Sequence, residues 1–211
     1  MTTTTRLSLI RSAFTATLAL LLCIIGLSGI PAAGTAQHAL AVFAGLLAGA
    51  AQGAGSAGIF LLAGMLGLPV FPGRAGGIGE LLAPGGAFVA GYFVAALAAG
   101  LCAGSPLSRE RRFSAKQWLR IAAGALLGTA LSWLPGIWWY IRSMEARGTA
   151  VSAAQAWKLN VLPSLPGEIP LLIAAIPVAA LLRPAAAQLL YPDDGKEADE
   201  LLAALSKKRG K

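Results

Sequence analysis

The sequence predicts an all-α membrane protein in which several helices cross the bilayer. Three observations support this prediction: 56% of the 211 residues are hydrophobic, only 12% are charged, and residues 12–73 contain no Lys, Arg, Asp or Glu. This composition is too apolar for an ordinary soluble domain of such a length. The charge-free stretch alone is long enough for three crossings at about 20 residues each.

Six apolar segments are predicted as membrane-spanning helices. The second and third are short and follow each other closely, and both are rich in the Gly and Ala residues that let helices approach in membranes. Residues 1–190 are therefore assigned to a six-helix transmembrane domain, and residues 191–211 to a polar tail. The predicted spans are residues 12–30, 37–51, 53–68, 87–103, 119–141 and 169–190.

The distribution of Lys and Arg predicts a multi-pass plasma-membrane protein with both termini in the cytoplasm. With six spans the termini lie on one side, and thirteen of the 17 Lys and Arg residues fall on that side. Cytoplasmic loops carry such an excess. The tail also contains leucines at helical spacing between an acidic and a basic cluster, which favours contact with anionic membrane lipids. The four cations on the opposite side are Arg74, Arg142, Arg147 and Lys158.

Several other classes of protein are disfavoured by the same pattern. The net charge of +8 comes from short clusters between apolar segments, which favours the membrane interpretation over nucleic-acid binding. The first apolar segment is followed by further apolar segments, so it is predicted as a retained helix and not as a signal peptide. His38 has no second His or Cys at ligand spacing and is interpreted as buried or interfacial. We expect no metal, no cofactor and no catalytic residue, since phosphate-binding and nucleophile-elbow motifs are absent from the sequence.

The segment from Gly67 to Gly77 is predicted as a loop that folds back over a site as a lid or wall. Pro69 ends the third span, and the glycines that follow permit positive φ and close backbone approach. The flanking residues are apolar, which argues against a fully solvated loop. Arg74 is the only cation of the loop and a candidate partner for an anionic ligand group.

A second candidate region joins the last two spans, where two prolines and a glycine precede Glu168. A carboxylate at a helix N-terminus can serve only as a cap, but ionisable residues near membrane depth are also functional candidates. Trp139 and Tyr140 belong, with Trp133 and Trp138, to an aromatic cluster near the outer end of the fifth span. Such a cluster is typical of an interfacial belt and is compatible with a wall on which a flat ligand stacks.

Taken in order, these segments resemble the BioY family of biotin transporters. The clearest element is GLPVFPGRAGG at residues 67–77. It is followed by a P-x-G-x-x-x-x-G step from Pro84 to Gly91 and by LPSLPGE at residues 162–168. Gln37 and the following AVFAGLLAG match the second helix of the family. The resemblance covers residues 34–184.

The resemblance implies a substrate-capture (S) component of an energy-coupling factor (ECF) importer for biotin, built as a six-helix bundle. The ligand pocket would lie near the outer face under the outside loops, and the loaded protein would reorient toward the cytoplasm. Such a chain hydrolyses nothing itself, so its partners would be a transmembrane coupling (T) protein and ATPase subunits. The candidate substrate-binding residues are Gln37, Arg74, Gly76, Gly77, Trp139, Tyr140, Asn160 and Glu168.

The sequence departs from the family at the last junction. The family usually has an Asp there and a Lys three residues later, and both help to hold the ligand, whereas this chain has Glu168 and Leu171. The exact ligand therefore stays open, or another cation such as Arg74 or Lys158 replaces the Lys. The alternatives are an S component for another small carboxylate or vitamin, a structural membrane subunit without a ligand, and a membrane enzyme. The enzyme would need paired acids or histidines in the spans, and the sequence offers only the isolated Glu80 and Glu168.

Overall fold

The structure, a computed structural model, describes residues 3–106 and 114–192. Within these ranges the chain forms eight α-helices, and a short 3₁₀ turn at Pro72–Arg74 lies between the third and the fourth. The helices are α1 (Thr3–Leu27), α2 (Ala33–Ala48), α3 (Ala50–Met65), α4 (Ile78–Leu82), α5 (Gly86–Ala103), α6 (Ala115–Glu145), α7 (Ala153–Asn160) and α8 (Leu165–Leu190). The predicted tail from residue 193 onward lies outside the described residues.

The prediction of several apolar helices is confirmed, and each predicted span corresponds to one helix. Four of them, α1, α5, α6 and α8, are long and apolar enough to cross a membrane. The other two, α2 and α3, are apolar but have only 16 residues each. At 1.5 Å per residue each is about 24 Å long, somewhat less than the roughly 30 Å hydrocarbon core of a bilayer.

The helix ends differ from the predicted span ends. α1 begins nine residues before the predicted span, at Thr3 rather than at residue 12. α6 begins at Ala115 because Ser114 and Gln117 form a reciprocal capping box. α8 begins at Leu165 and continues through three internal prolines. Hydrophobicity marks the membrane-embedded part of a helix, whereas caps and tertiary contacts set its true ends, which explains the longer helices.

Small residues bring α2, α3 and α5 into close backbone contact, as the sequence predicted. A Cβ atom added to Gly45 of α2 would lie 2.1 Å from the carbonyl oxygen of Ala96 on α5. One added to Gly100 of α5 would lie 2.4 Å from the backbone nitrogen of Ala50, the first residue of α3. Neither position can accept a larger side chain without moving a helix, so these glycines fix the centre of the bundle.

The N-terminal half of α1 and the C-terminal end of α8 meet at one end of the bundle, which we call the terminal end. There the Nε of Arg11 on α1 donates to the carbonyl oxygen of Leu190 on α8 over 2.7 Å, and its guanidinium lies 4.9 Å from the ring centroid of Tyr191. The opposite end carries the α1–α2, α3–α5 and α6–α8 connections, and we call it the loop end. Arg183, counted above among the cations on the side of the termini, is not in a loop but buried in α8 with 1% exposure.

Candidate functional site

The long connection between α3 and α5 folds onto the loop end of the bundle. Phe71 is fully buried and packs against Gly64, where an added Cβ would come within 2.2 Å of the Phe71 ring. Phe60 meets the same ring edge-on, with centroids 5.6 Å apart. Because this aromatic anchor fixes the first part of the connection, the residues on either side of it are held over the helix ends.

A partly open cavity of about 370 Å³ lies beneath this connection. Its walls come from the N-terminal ends of α2, α5 and α8, from the C-terminal half of α6 and from the connection itself. The apolar part of the lining comprises mainly aromatic and aliphatic side chains, and the polar part converges from α2, α6 and the α7–α8 junction. The lining residues are Gly34, Thr35, His38, Phe71, Pro72, Glu80, Gly85, Gly86, Phe88, Val89, Tyr92, Ser132, Trp133, Asn160, Ser164 and Glu168.

A hydrogen-bonded chain of three side chains crosses the cavity wall. His38 is 6% exposed and Glu168 is 2% exposed, and the Nδ1 of the histidine contacts the Oε1 of the carboxylate. The Nε2 of His38 lies 2.7 Å from the Oγ of Ser132 on α6. The Ser132 hydroxyl also lies 2.7 Å from the carbonyl oxygen of Thr129. Residues from α2, α6 and α8 are thereby joined through one imidazole ring.

Tyr92 of α5 supports this histidine from the side. The two rings stack with centroids 5.5 Å apart and an interplanar angle of 27°. The Tyr92 hydroxyl donates to the carbonyl oxygen of Gly34 over 2.9 Å, at the first turn of α2. The imidazole therefore has a fixed plane, set by a stacking partner and by a hydrogen bond at each ring nitrogen.

The α7–α8 junction presents Asn160, Ser164 and Glu168 to the cavity. The Asn160 side-chain amide donates to the carbonyl oxygen of Ala156 over 2.9 Å. The Ser164 hydroxyl lies 2.8 Å from the carbonyl oxygen of Val161 and 3.5 Å from the Oε2 of Glu168. The carboxylate of Glu168 is thus engaged with side chains of the site, which is more than the helix-capping role that its position alone would explain.

The structure brings two of the eight predicted site residues to the cavity, Asn160 and Glu168. Gln37 is fully buried one residue before His38, and its Nε2 donates to the carbonyl oxygens of Leu22 and Val70, each over 2.8 Å. It holds the α3–α5 connection against α1 and does not line the cavity. The assignment of Gln37 as a ligand contact stays a prediction.

Arg74, Gly76 and Gly77 lie in the α3–α5 connection but outside the cavity lining. The Arg74 side chain is exposed, and its Nε donates to the carbonyl oxygen of Leu27 at the end of α1 over 3.2 Å. Gly76 has φ in the ordinary range but packs against the carbonyl oxygen of Leu68, which an added Cβ would approach to 2.3 Å. Gly77, with φ of 94°, precedes α4. These residues shape the connection in this structure.

Trp139 and Tyr140 are also absent from the lining of the main cavity. The indole nitrogen of Trp139 donates to the carbonyl oxygen of Ala83 over 3.1 Å, so it ties α6 to the α3–α5 connection. Trp139 lines a second, smaller cavity of about 250 Å³ nearer the C-terminal end of α6, together with Arg142 and Arg147. From the predicted aromatic cluster, Trp133 is the member that reaches the main cavity.

Sequence reasoning did not identify His38, Tyr92 and Ser132 as site residues. His38 was predicted to be buried or interfacial, and its burial is confirmed. Its partner Glu168 is 130 positions away in the chain, a separation that a local pattern does not reveal. The available signal was that His38 and Ser132 are polar residues placed within apolar helices, where unpaired polar groups are expensive and therefore find partners.

The fold and the site together define an all-helical protein with apolar helices long enough to cross a membrane and a cavity at one end of the bundle. Residues 1–188 match the model of the BioY family, and the chain therefore belongs to the BioY family.

One solved structure shares this fold across most of both chains. It is described as the crystal structure of "the S-component for biotin from an ECF-type ABC transporter". The match has a TM-score of 0.66 at 21% sequence identity and covers 87% of this chain and 94% of the other. No protein with curated annotation matches the sequence.

Proposed function

We propose that this chain is the substrate-capture component of a vitamin importer and that it takes up biotin across the plasma membrane. The observation that carries the proposal is the cavity at the loop end of a BioY-family bundle. Its volume of about 370 Å³ falls within the roughly 300–1,000 Å³ of small-molecule sites. Its aromatic and aliphatic walls, with a few convergent polar groups, suit a compact ligand that is partly apolar and partly hydrogen-bonding.

The proposed topology places the loop end outside and both termini in the cytoplasm. The support is the excess of Lys and Arg on the side of the termini. In this arrangement α2 and α3 complete six crossings, with the bilayer thinning locally or side chains at the helix ends reaching its surface. Residues 1–190 form the substrate-binding domain and residues 191–211 a cytoplasmic tail that contacts anionic lipid.

The proposed partners are a transmembrane coupling protein and ATPase subunits of an ECF transporter. The sequence has no phosphate-binding loop, so the energy for uptake has to come from other chains. The chain itself acts as a carrier and not as an enzyme. Biotin would enter from the loop end, and the loaded bundle would reorient so that the same cavity opens toward the cytoplasm.

Equilibrium binding to the purified protein tests the proposal. Isothermal titration with biotin should give saturable binding at one site per chain. Lipoate, thiamine and riboflavin serve as matched vitamin controls and should bind at least about a hundredfold more weakly, a difference of roughly 2.7 kcal/mol. Tight binding of another vitamin in preference to biotin would move the assignment to a different S component, and no binding of any small molecule would favour a structural subunit.

A further inference from the structure

The ionisable side chains in the lining of the main cavity limit the charge of a ligand that it can accept. Its ionisable side chains, among the described residues, are His38, Glu80, Tyr92 and Glu168, with no Lys or Arg. Glu80 is exposed at the rim and Glu168 is buried. An anionic ligand group placed beside Glu168 would face a carboxylate in a site of low dielectric, where like charges repel strongly.

Of the lining residues that the structure describes, only His38 can offset this negative charge, so its hydrogen atoms decide what the site can bind. A serine hydroxyl has one hydrogen. The Ser132 hydroxyl lies 2.7 Å from the Thr129 carbonyl oxygen, which can only accept, and 2.7 Å from the Nε2 of His38. Both contacts are satisfied when Ser132 donates to Thr129 and the Nε2–H of His38 donates to Ser132.

The remaining proton lies between the Nδ1 of His38 and the Oε1 of Glu168. Whichever of the two atoms carries it, the pair has no net charge, and both ring nitrogens are occupied by protein partners. The imidazole therefore has no hydrogen left for a ligand carboxylate. Within the pair, the Oε2 of Glu168 remains available to accept a hydrogen bond. Its contact with the Ser164 hydroxyl is long, at 3.5 Å, because that hydroxyl lies closer to the carbonyl oxygen of Val161.

We propose that His38 is a specificity-determining positioning residue, which neutralises Glu168 so that its free oxygen accepts an N–H group from an uncharged ligand head. A cyclic urea has such N–H groups, whereas a carboxylate has none. The inference rests on the proposed function, because it assigns the urea end of biotin to the His38–Glu168 pair. The ligand carboxylate then lies toward the exposed rim, where water and salt screen it from Glu80 and where the described lining offers no cationic partner.

Three ligands, tested on the unaltered protein, distinguish binding of the urea by the His38–Glu168 pair from binding of the carboxylate by that pair. Biotin methyl ester keeps the urea and lacks the charge, whereas lipoate keeps an anionic tail and lacks the urea. The ester should bind within about threefold of biotin, and lipoate should bind at least about a hundredfold more weakly. If biotin binds and the ester loses a hundredfold or more, the carboxylate is held by the site and the inference is wrong, while the proposed function stands. If biotin itself does not bind, the proposed function fails.

His38→Gln tests the neutralising role. Removing the shared proton leaves Glu168 with an uncompensated charge, so biotin should lose about tenfold more affinity than its uncharged ester. In the double variant His38→Gln/Glu168→Gln the pair is neutral again, and acid and ester should once more bind within about threefold of each other. A purely structural role for His38 would weaken acid and ester equally and would not be reversed by Glu168→Gln. A larger loss for the ester than for the acid would also overturn the proposal.

Ser132→Ala is the matched control, because it removes the other partner of the same ring without changing a charge. It should weaken acid and ester by the same factor. Thermal unfolding in detergent identifies any variant that fails to fold, and the three-ligand comparison on the unaltered protein decides the proposal even then.

Discussion

The side-chain amide of Gln37 and the carbonyl oxygen of Val70 form a hydrogen bond of 2.8 Å between α2 and the α3–α5 connection. The same nitrogen donates to the carbonyl oxygen of Leu22 on α1 over 2.8 Å. One fully buried side chain thus satisfies two backbone carbonyls of different segments. Gly26 provides the space for this contact, since an added Cβ would lie 1.7 Å from the Val70 oxygen.

Gln37→Leu should loosen the connection over the cavity. It removes the buried donor of the Val70 carbonyl oxygen, which lies outside any helix, and a buried polar group left unsatisfied costs about 1–3 kcal/mol. Hydrogen exchange at residues 66–77 should become faster, and biotin affinity should fall together with the free energy of unfolding. Gln52→Leu is the control, because Gln52 is buried at the terminal end beside Tyr191. It should destabilise the protein without accelerating exchange at residues 66–77, and equal exchange rates in the two variants would contradict the assigned role of Gln37.

A second prediction concerns the packing of Phe71 against Gly64 of α3. Gly64→Ala places a methyl group where the Phe71 ring now lies, so the ring and the connection have to move. Overpacking of this kind costs about 1–3 kcal/mol. Gly58→Ala is the control in the same helix, because its Cβ would meet only ordinary contacts at 3.8 Å to Phe93. We expect Gly64→Ala to lower biotin affinity and thermal stability, and Gly58→Ala to leave affinity unchanged.

The order of the main helices was predictable because long apolar runs separated by charged or glycine-rich segments are a local signal. The helices α4 and α7 were not predicted, since segments of five and eight residues contain too few turns to show a periodic pattern. Within the site, Glu168 and Asn160 were identified from the α7–α8 junction. The pairing of Glu168 with His38 depends on how α2 and α8 pack, which the sequence pattern does not contain.

A third prediction concerns Arg183 at the terminal end. Its guanidinium donates to the carbonyl oxygen of Leu46 near the end of α2 and to three consecutive carbonyls from Ala103 to Ser105 at the end of α5. Helix C-termini carry partial negative charge, so a buried cation stabilises both at once. Arg183→Met should lower the free energy of unfolding by about 3 kcal/mol or more, on the scale of losing a buried charged group that holds several acceptors.

The same variant should leave the ligand site intact, because Arg183 is at the opposite end of the bundle from the cavity. Once the protein is folded in detergent at low temperature, Arg183→Met should bind biotin within about threefold of the unaltered protein. Arg183→Lys keeps the charge but offers a single donor head in place of the planar fork, so its stability should be intermediate. Equal stability of the Met, Lys and unaltered proteins would show that the buried guanidinium is not needed.

The last prediction concerns Arg74, which the sequence indicated as a partner for the ligand carboxylate. In the structure its side chain is exposed, bonds to the carbonyl oxygen of Leu27 and packs over Gly29, whose φ is 71°. Arg74 itself has φ of 60°, a left-handed conformation that disfavours residues with a Cβ. We therefore expect Arg74→Ala to weaken biotin and its methyl ester by the same modest factor, because the change acts through the shape of the connection.

Arg74→Gly sharpens this test. It removes the same side chain but relieves the left-handed strain, which is worth about 1 kcal/mol, so the Gly variant should be more stable than the Ala variant. Calorimetric titration of biotin and its ester against the three proteins measures both effects on affinity, and thermal unfolding measures stability. If both variants lose tenfold or more for the acid and nothing for the ester, the guanidinium reaches the carboxylate when the ligand is bound. Equal losses for acid and ester would place the contribution of Arg74 in the backbone of the connection, where its φ and its bond to Leu27 already hold it.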